Sequence, residues 1–495
     1  MPFDGCAIHS LVKELNTELI GQRIEKIYQP EKDEIVMVVR RKKGNSRLLI
    51  SANPRWARMH ITTERADNPP HPLAFCMLLR KYLEGGKILG FEQDDFERIV
   101  NIRIEALNDL LEWREKVLVC EFTGKNSNIV LIDPETSLII DGIKRYGSDV
   151  SSHREVQPGL TYIAPPSQGK LSPLTASYEE FYRAFWVEHG STNASHALFL
   201  TYTGLSPQTC QKICHISSIS PDTAAEQCGE FELSRIYQQT RAIVEGTISQ
   251  PTLVLERDIP TDYFPFNPPV GDSTTVQLFE MINDAMDHFY ASKLANVRLE
   301  SLRTNVLRNV KTHLDKAYKK LFFQESDFGE AEKNRILKTW GELLTSYAFN
   351  IKKGETLVSL PNFEGDGQTE IELVPYLSPI ENAQKFFKKY ARSRKTLERL
   401  EFFIEQNKQE IAYLESVAYS MEKAETIEEM EDIIVELEEE GYMKHKSGRG
   451  KQRQARSVPR RYVSSTGIDI WVGRNNKQND QLTLKRAGKN DLWLH

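Results

Sequence analysis

The sequence predicts a multidomain α+β protein. Three observations predict it. The chain has 495 residues, too many for one compact core. Helical and strand-like patterns mix in its first third. Two long helical patterns fill much of its second half. Hydrophobic residues make up 40% and charged residues 27%, the proportions of a soluble, folded chain. No apolar run approaches the roughly 20 residues that span a bilayer. The first residues, Met1-Pro2-Phe3-Asp4-Gly5, lack the basic-then-apolar layout of an export signal. A cytoplasmic protein without membrane contact is expected.

Ile8, Leu11, Val12, Leu15, Leu19 and Ile20 recur at helical spacing over 5–20, and Asp4 stands where an N-cap belongs. Short β-rich runs follow at Arg23–Tyr28, Glu34–Arg40 and Arg47–Ala52, separated by polar turns, as in a β meander. A helix over about Pro72–Leu83 ends at Gly85-Gly86. Further strands are expected at Ile99–Ile104, Val117–Phe122 and Asn128–Ile132. Pro158-Gly159 and Pro165-Pro166 close a first α+β domain, 1–172.

Residues 173–270 read as a helical domain. Within it, Tyr202-Thr203-Gly204-Leu205-Ser206-Pro207 precedes an apolar helix with Ile213 and Ile216. The glycine turn is either an ordinary helical hairpin or a place where free N–H groups receive a phosphate. Residues 271–440 read as an arm. One long helix covers about Val276–Phe323 and a second covers about Pro379–Met421. Leu397, Leu400, Ile404, Ile411, Leu414, Ala418 and Met421 mark a heptad seam, and Asn407 fills its one polar position. The insertion at about 330–375, with β-like Thr356–Leu360 and Thr369–Val374, lets the helices fold back as a long antiparallel coiled coil. A basic linker, 441–461, and a β-type segment, 462–495, complete the chain.

Net charge is -6, but the charges are sorted along the chain. Lys293–Lys320 holds eight Lys/Arg against two acids, and Lys444 to the end holds thirteen against three. Glu422–Glu440 between them holds ten acids and one lysine. Separate basic surfaces of this kind suit phosphate, although each run alone also reads as a solvated helix face. The six cysteines sit in apolar surroundings and read as reduced core thiols. Cys210-x3-Cys214-His215 is half of a zinc pattern, and no second pair follows it. No catalytic constellation and no cofactor site stands out.

Several stretches carry a resemblance across the whole chain: Phe3-Asp4-Gly5, Leu49–Pro54, Phe75–Lys81, Asn126–Ile129 and Leu377–Gln384. The most specific are Val472–Asp480 and Asp491-Leu492-Trp493-Leu494-His495. Together they resemble the NFACT family of ribosome quality-control factors, whose older label is fibronectin-binding protein A. The resemblance implies four parts. These are an N-terminal domain similar to the formamidopyrimidine-glycosylase N-domain, a helix-hairpin-helix region, the coiled-coil arm and an RNA-binding domain. The last looks partial here, because the family's domain continues beyond the Trp-Leu-His residues.

The resemblance also implies an activity. Such proteins bind a large ribosomal subunit that holds peptidyl-tRNA and recruit alanyl-tRNA. The ribosome then builds an alanine tail that marks the nascent chain for degradation. The protein binds and positions rather than catalyses, with no cofactor, and a small RNA-binding protein of the same pathway is an implied partner. Glu97 and Arg98 match the family's Asp-Arg pair, with the acid lengthened by one methylene. Glu121 leads a matching tripeptide, Glu121-Phe122-Thr123, and Asp4 matches a further acid. Arg474, Asn475 and Asn476 offer a guanidinium and two amides for RNA. Ordinary roles stand beside these. Glu97 and Arg98 also read as a surface ion pair, Asp4 as a helix cap, Phe122 and Trp493 as core. Two other functions are weighed: a surface adhesin for fibronectin or fibrinogen, and a DNA glycosylase using Pro2 as nucleophile.

Overall fold

The structure is a computed structural model that describes residues 3–42, 44–108, 110–147, 154–271, 273–363, 365, 367–444 and 458–494. Most of the basic linker, together with Pro2 and His495, therefore lies outside the described residues. The chain divides into two compact units, residues 1–295 and 296–495.

The first unit opens with α1 (Gly5–Leu19), capped by the Asp4 carboxylate as its position foretold. Ile8, Leu11, Leu15 and Leu19 are buried along one stripe of this helix. Strands β1 (Arg23–Tyr28), β2 (Glu34–Arg41), β3 (Gly44–Ser51) and β4 (Arg58–Ile61) follow. After α2 (Ala74–Leu83) come β5 (Lys87–Gln93), β6 (Ile99–Leu107), β7 (Trp113–Glu121), β8 (Asn128–Asp133) and β9 (Leu138–Gly142). All nine form one sheet in the order β4-β3-β2-β1-β5-β6-β7-β8-β9. It is two antiparallel meanders joined where β1 meets β5 at Arg23 and Lys87. Side chains alternate across a sheet. One face therefore gives Ile24, Met37, Ile50, Ile102, Leu118 and Ile129 to a core shared with α1 and α2. The other face, around Ile99, Val119 and Val130, closes over a smaller cluster with Val156.

The helical region holds α3 (Tyr178–Tyr182), a π-helical turn (Arg183–Glu188), α4 (Ala194–Thr201), α5 (Pro207–Ile216) and α6 (Glu230–Glu245). Its core includes Phe181, Phe185, Tyr202, Ile213 and both Cys210 and Cys214. A three-stranded sheet then intervenes: β10 (Thr252–Glu256), β11 (Ile259–Phe264) and β12 (Thr274–Leu278), in the order β11-β10-β12. This corrects the expected helix start at Val276, which is a strand residue paired with Val254. The β-branched run Thr274-Thr275-Val276 outweighs the helical spacing there. Helix α7 (Ile282–Lys333) begins later, where Glu14 of α1 accepts hydrogen bonds from the Ile282 and Asn283 N–H groups at 2.6 and 3.0 Å. Asp287, one turn on, accepts from Thr62 and Thr63 beside β4.

In the second unit α7 continues and is followed by α8 (Ile336–Ser346), the hairpin β13 (Leu357–Pro361) and β14 (Gln368–Glu372), and α9 (Pro379–Lys423). The start of α9 shows why Leu377–Gln384 has its composition. Ser378 and Glu381 form a reciprocal capping box, Pro379 sits in the first turn, and buried Asn382 bonds Val374 through both its amide atoms. Helices α7 and α9 run antiparallel: Arg303 donates to the Met421 and Ala424 carbonyls, whereas Asn407 donates to the carbonyl of Ala317 at 3.0 Å. Val306 and Val310 pack with Leu414, Val417 and Met421. Helix α10 (Ile427–Glu439) carries the acidic run, and β15 (Arg460–Val463), β16 (Asp469–Val472) and α11 (Asn476–Asp480) follow. No described helix is long and apolar enough to cross a membrane.

Candidate nucleic-acid interface

The turn from β5 to β6 carries Glu97 and Arg98. It is held by an interlock of backbone that two glycines permit. A Cβ on Gly204 would lie 2.1 Å from the Phe96 carbonyl oxygen, and one on Gly5 would lie 2.4 Å from it. The Gly5 N–H donates to the Gly204 carbonyl at 2.6 Å. Phe96 itself adopts φ +62° and is buried in the helical core, so the turn is wedged between α1 and the α4–α5 connection.

On this base Glu97 accepts a hydrogen bond from the Thr203 hydroxyl at 2.6 Å. The Arg98 carbonyl accepts from the Phe122 N–H at 2.8 Å, fixing the backbone on both sides of the residue. Its half-buried guanidinium has no hydrogen bond or ion pair among the described residues. The expected Glu97–Arg98 ion pair is thus absent, and Glu97 turns to Thr203. Lys170, which the sequence reading missed, lies in the field of both. Its ammonium donates to the Phe199 carbonyl at 2.7 Å and sits 3.9 Å from the Phe199 ring. Burial pushes its pKa down, Arg98 adds to that, and Glu97 opposes it. No periodicity marks this lysine in sequence. Only the fold brings it within the electrostatic reach of Arg98.

Glu121 is fully buried. Arg154 grips it bidentately through both terminal nitrogens, at 2.7 and 2.5 Å, and the Tyr162 hydroxyl donates at 2.9 Å. Burial works to lower the Arg154 pKa, and the Glu121 carboxylate raises it overall. Burial, reinforced by Glu121, pushes the Tyr162 phenol well up. Glu121 pairs with Ile99 across the sheet, so this cluster braces the strand that leads out of Arg98. Phe122 is core, edge-on to Phe3.

Asp4 is 3% exposed and both its oxygens are occupied. One accepts from the Cys6 and Ala7 N–H groups, the other from the Ser206 N–H at 3.0 Å and the Thr209 hydroxyl at 2.6 Å. It therefore caps α1 and secures the start of α5 at once. Two N–H groups of the glycine turn are engaged: Ser206 donates to Asp4 and Thr203 to the Leu171 carbonyl.

Arg474, Asn475 and Asn476 lie in the other unit and face the protein. Arg474 pairs with Glu429 of α10. Asn475 caps α11 by accepting from the Gln478 N–H at 2.8 Å. Asn476 donates to Ser416 at 3.1 Å and to Glu436 at 3.0 Å. The acidic helix, read as solvated, is here an anchor for the loop. Trp493, read as core, is 63% exposed.

Set against known proteins, residues 4–456 match the family described as NFACT N-terminal and middle domains. The Rqc2 homolog RqcH of Streptococcus suis (strain 05ZYH33) is 33% identical over 497 residues, covering 100% of this chain and 85% of that protein. The Rqc2 homolog RqcH of Bacillus subtilis (strain 168) is 31% identical over 503 residues with the same coverage. Among solved structures, the N-terminal part of the fibronectin/fibrinogen-binding protein from Streptococcus suis is 30% identical, with a TM-score of 0.49. That match covers 58% of this chain and 99% of the solved one.

Proposed function

The chain belongs to the NFACT family, and from that premise we propose that it acts in ribosome quality control as an RNA-binding, positioning factor. It engages large ribosomal subunits that retain peptidyl-tRNA and brings alanyl-tRNA to them, and the ribosome forms the bonds of the alanine tail. It works in the cytoplasm, on the ribosome, with a small RNA-binding protein of the pathway as a further partner. The N-terminal sheet domain, similar in form to the glycosylase N-domain, handles tRNA. The antiparallel α7–α9 pair serves as a coiled-coil arm.

One observation carries the reading: Arg98 stands on a rigid turn, and its guanidinium has no partner among the described residues. A fixed, unpaired guanidinium is suited to a bidentate contact with a phosphate or base edge. Lys170 adds positive potential beside it. Glu97 orients the turn through Thr203 and keeps an oxygen that accepts no other hydrogen bond among the described residues. Glu121 and Asp4 act one step back, as positioning residues that hold the strand and the helix starts around Arg98. Arg474, Asn475 and Asn476 contribute to RNA binding only after leaving their contacts with α9 and α10.

The test is Arg98→Ala in cells that accumulate blocked subunits. Alanine tailing and alanyl-tRNA enrichment are expected to vanish, while co-sedimentation with large subunits persists. Unaltered tailing by a folded variant removes Arg98 from the site.

A further inference from the structure

Away from Arg98, the first unit carries a groove of about 560 Å³ lined by Tyr178, Glu179, Tyr182, Trp186, Glu230 and Leu233, among others. It lies where α3, the π-helical turn and the start of α6 meet. Tyr182 and Trp186 stack at 5.5 Å with planes 12° apart. The π-helical turn that carries Trp186 is a rare backbone form, found disproportionately at functional sites.

The acids of this groove divide into two kinds. Each helix places two acids in its first turn. In α3, Glu180 completes a capping box with Ser177, and in α6, Glu232 accepts from the Gly229 N–H at 2.7 Å. One acid per helix therefore satisfies the cap. The other two, Glu179 and Glu230, are exposed, line the groove, and have no side-chain partner among the described residues. Among the described residues, no lysine, arginine or histidine lines the groove. The nearby cations are engaged elsewhere: Arg183 pairs with Glu188, and Arg235 sits over Phe231 and donates to Ser218.

Stacked aromatic faces attract a cation through their quadrupoles, and adjacent carboxylates add charge-assisted hydrogen bonds. The same carboxylates repel a phosphate backbone. We propose that this aromatic and acidic groove binds an arginine side chain presented by an extended basic segment of a protein partner. The guanidinium lies flat against the Tyr182–Trp186 pair and donates to Glu179 and Glu230. Arginine fits better than lysine because its planar fork both stacks and bonds two carboxylates.

The test uses the full chain and three fluorescein-labelled decapeptides of alternating glycine with arginine, lysine or citrulline, with labelled oligouridine as a fourth probe. Anisotropy should show the arginine peptide binding, the lysine peptide more weakly, and the citrulline peptide not at all. Glu179→Gln with Glu230→Gln should weaken the arginine peptide about tenfold or more, and Trp186→Leu should weaken it comparably. A thermal melt checks that both variants remain folded. Both neutralised acids are exposed, so the double variant isolates charge from packing. Equal binding of the citrulline peptide, no binding of the arginine peptide, or no change in the double variant each overturns the proposal. So does loss of oligouridine binding in Trp186→Leu with arginine-peptide binding retained, which makes the groove an RNA platform.

Discussion

Arg98 and Arg474 invite the same reading in sequence: an arginine on a turn, in a stretch matched to an RNA-binding family. The fold treats them oppositely. Arg98 stands on a turn locked by Gly5, Gly204 and Phe96, and its guanidinium has no partner among the described residues. Arg474 stands on a loop held by α10 and gives its guanidinium to a carboxylate that is itself almost fully buried. A binding arginine must leave donors free and still be held in place, because an unheld side chain loses entropy on contact. Arg98 meets the first with its guanidinium and the second through its backbone, which the turn holds. Arg474 meets the second by giving up the first.

The sharpest way to probe that contrast is to remove groups the fold already uses. Glu121→Ala leaves Arg154 buried without its carboxylate, and about 3–5 kcal/mol of stability should be lost. Urea unfolding measures it, and a loss below about 1 kcal/mol would mean the cluster is open to water. Next in size is Gly204→Ala, which puts a methyl carbon against the Phe96 carbonyl at positive φ. At least about 2 kcal/mol should be lost, with tailing impaired although Arg98 is untouched.

Asp262 offers the opposite sign. Burial raises its pKa to about 6, and its carboxylate accepts a hydrogen bond from the Tyr263 N–H at 2.9 Å. Its folded pKa exceeds the unfolded one. Wild-type stability should therefore decline as pH rises from about 4 to about 6. Asp262→Asn should gain about 1–2 kcal/mol at pH 7 and nothing below pH 4, as pH-dependent melts would reveal. Smallest is Arg474→Ala. It should cost about 1 kcal/mol of stability and lower the salt slope of RNA binding less than Arg98→Ala does, because its guanidinium must first leave Glu429, whereas Arg98→Ala should leave stability within about 0.5 kcal/mol. A steeper loss of RNA affinity for Arg474→Ala would reverse the contrast.

Much of the fold was legible because it follows local periodicity. Helix α1 and its Asp4 cap, β1, helix α9 and the buried place of polar Asn407 stand where the residues place them. Strands β4, β5 and β9 and helix α8 escaped notice. Strands β4 and β9 are short, and tertiary pairing rather than pattern fixes all three strands. The site was legible as residue types but not as roles. Beyond the Asp4 cap, Glu121 and Asp4 carry no mark in sequence of what they do, which depends on Arg154, Ser206 and Thr209, partners between 33 and 205 residues away. Lys170 was invisible for the same reason, and Thr203 was visible only as part of the glycine turn. Likewise, Asn382 and Ser378 in the signature stretches hold the start of α9 through hydrogen bonds to Val374 and Glu381.

All six native thiols are buried, and burial raises the pKa of each one. Thiolate, not thiol, reacts with maleimides. The wild-type chain should therefore label slowly, leaving a quiet background without any cysteine removal. A single cysteine substituted for exposed Lys125, three residues beyond the Phe122 that bonds Arg98, would then carry a dye alone. Energy transfer from that dye to a labelled tRNA would time the arrival and departure of each tRNA at the turn.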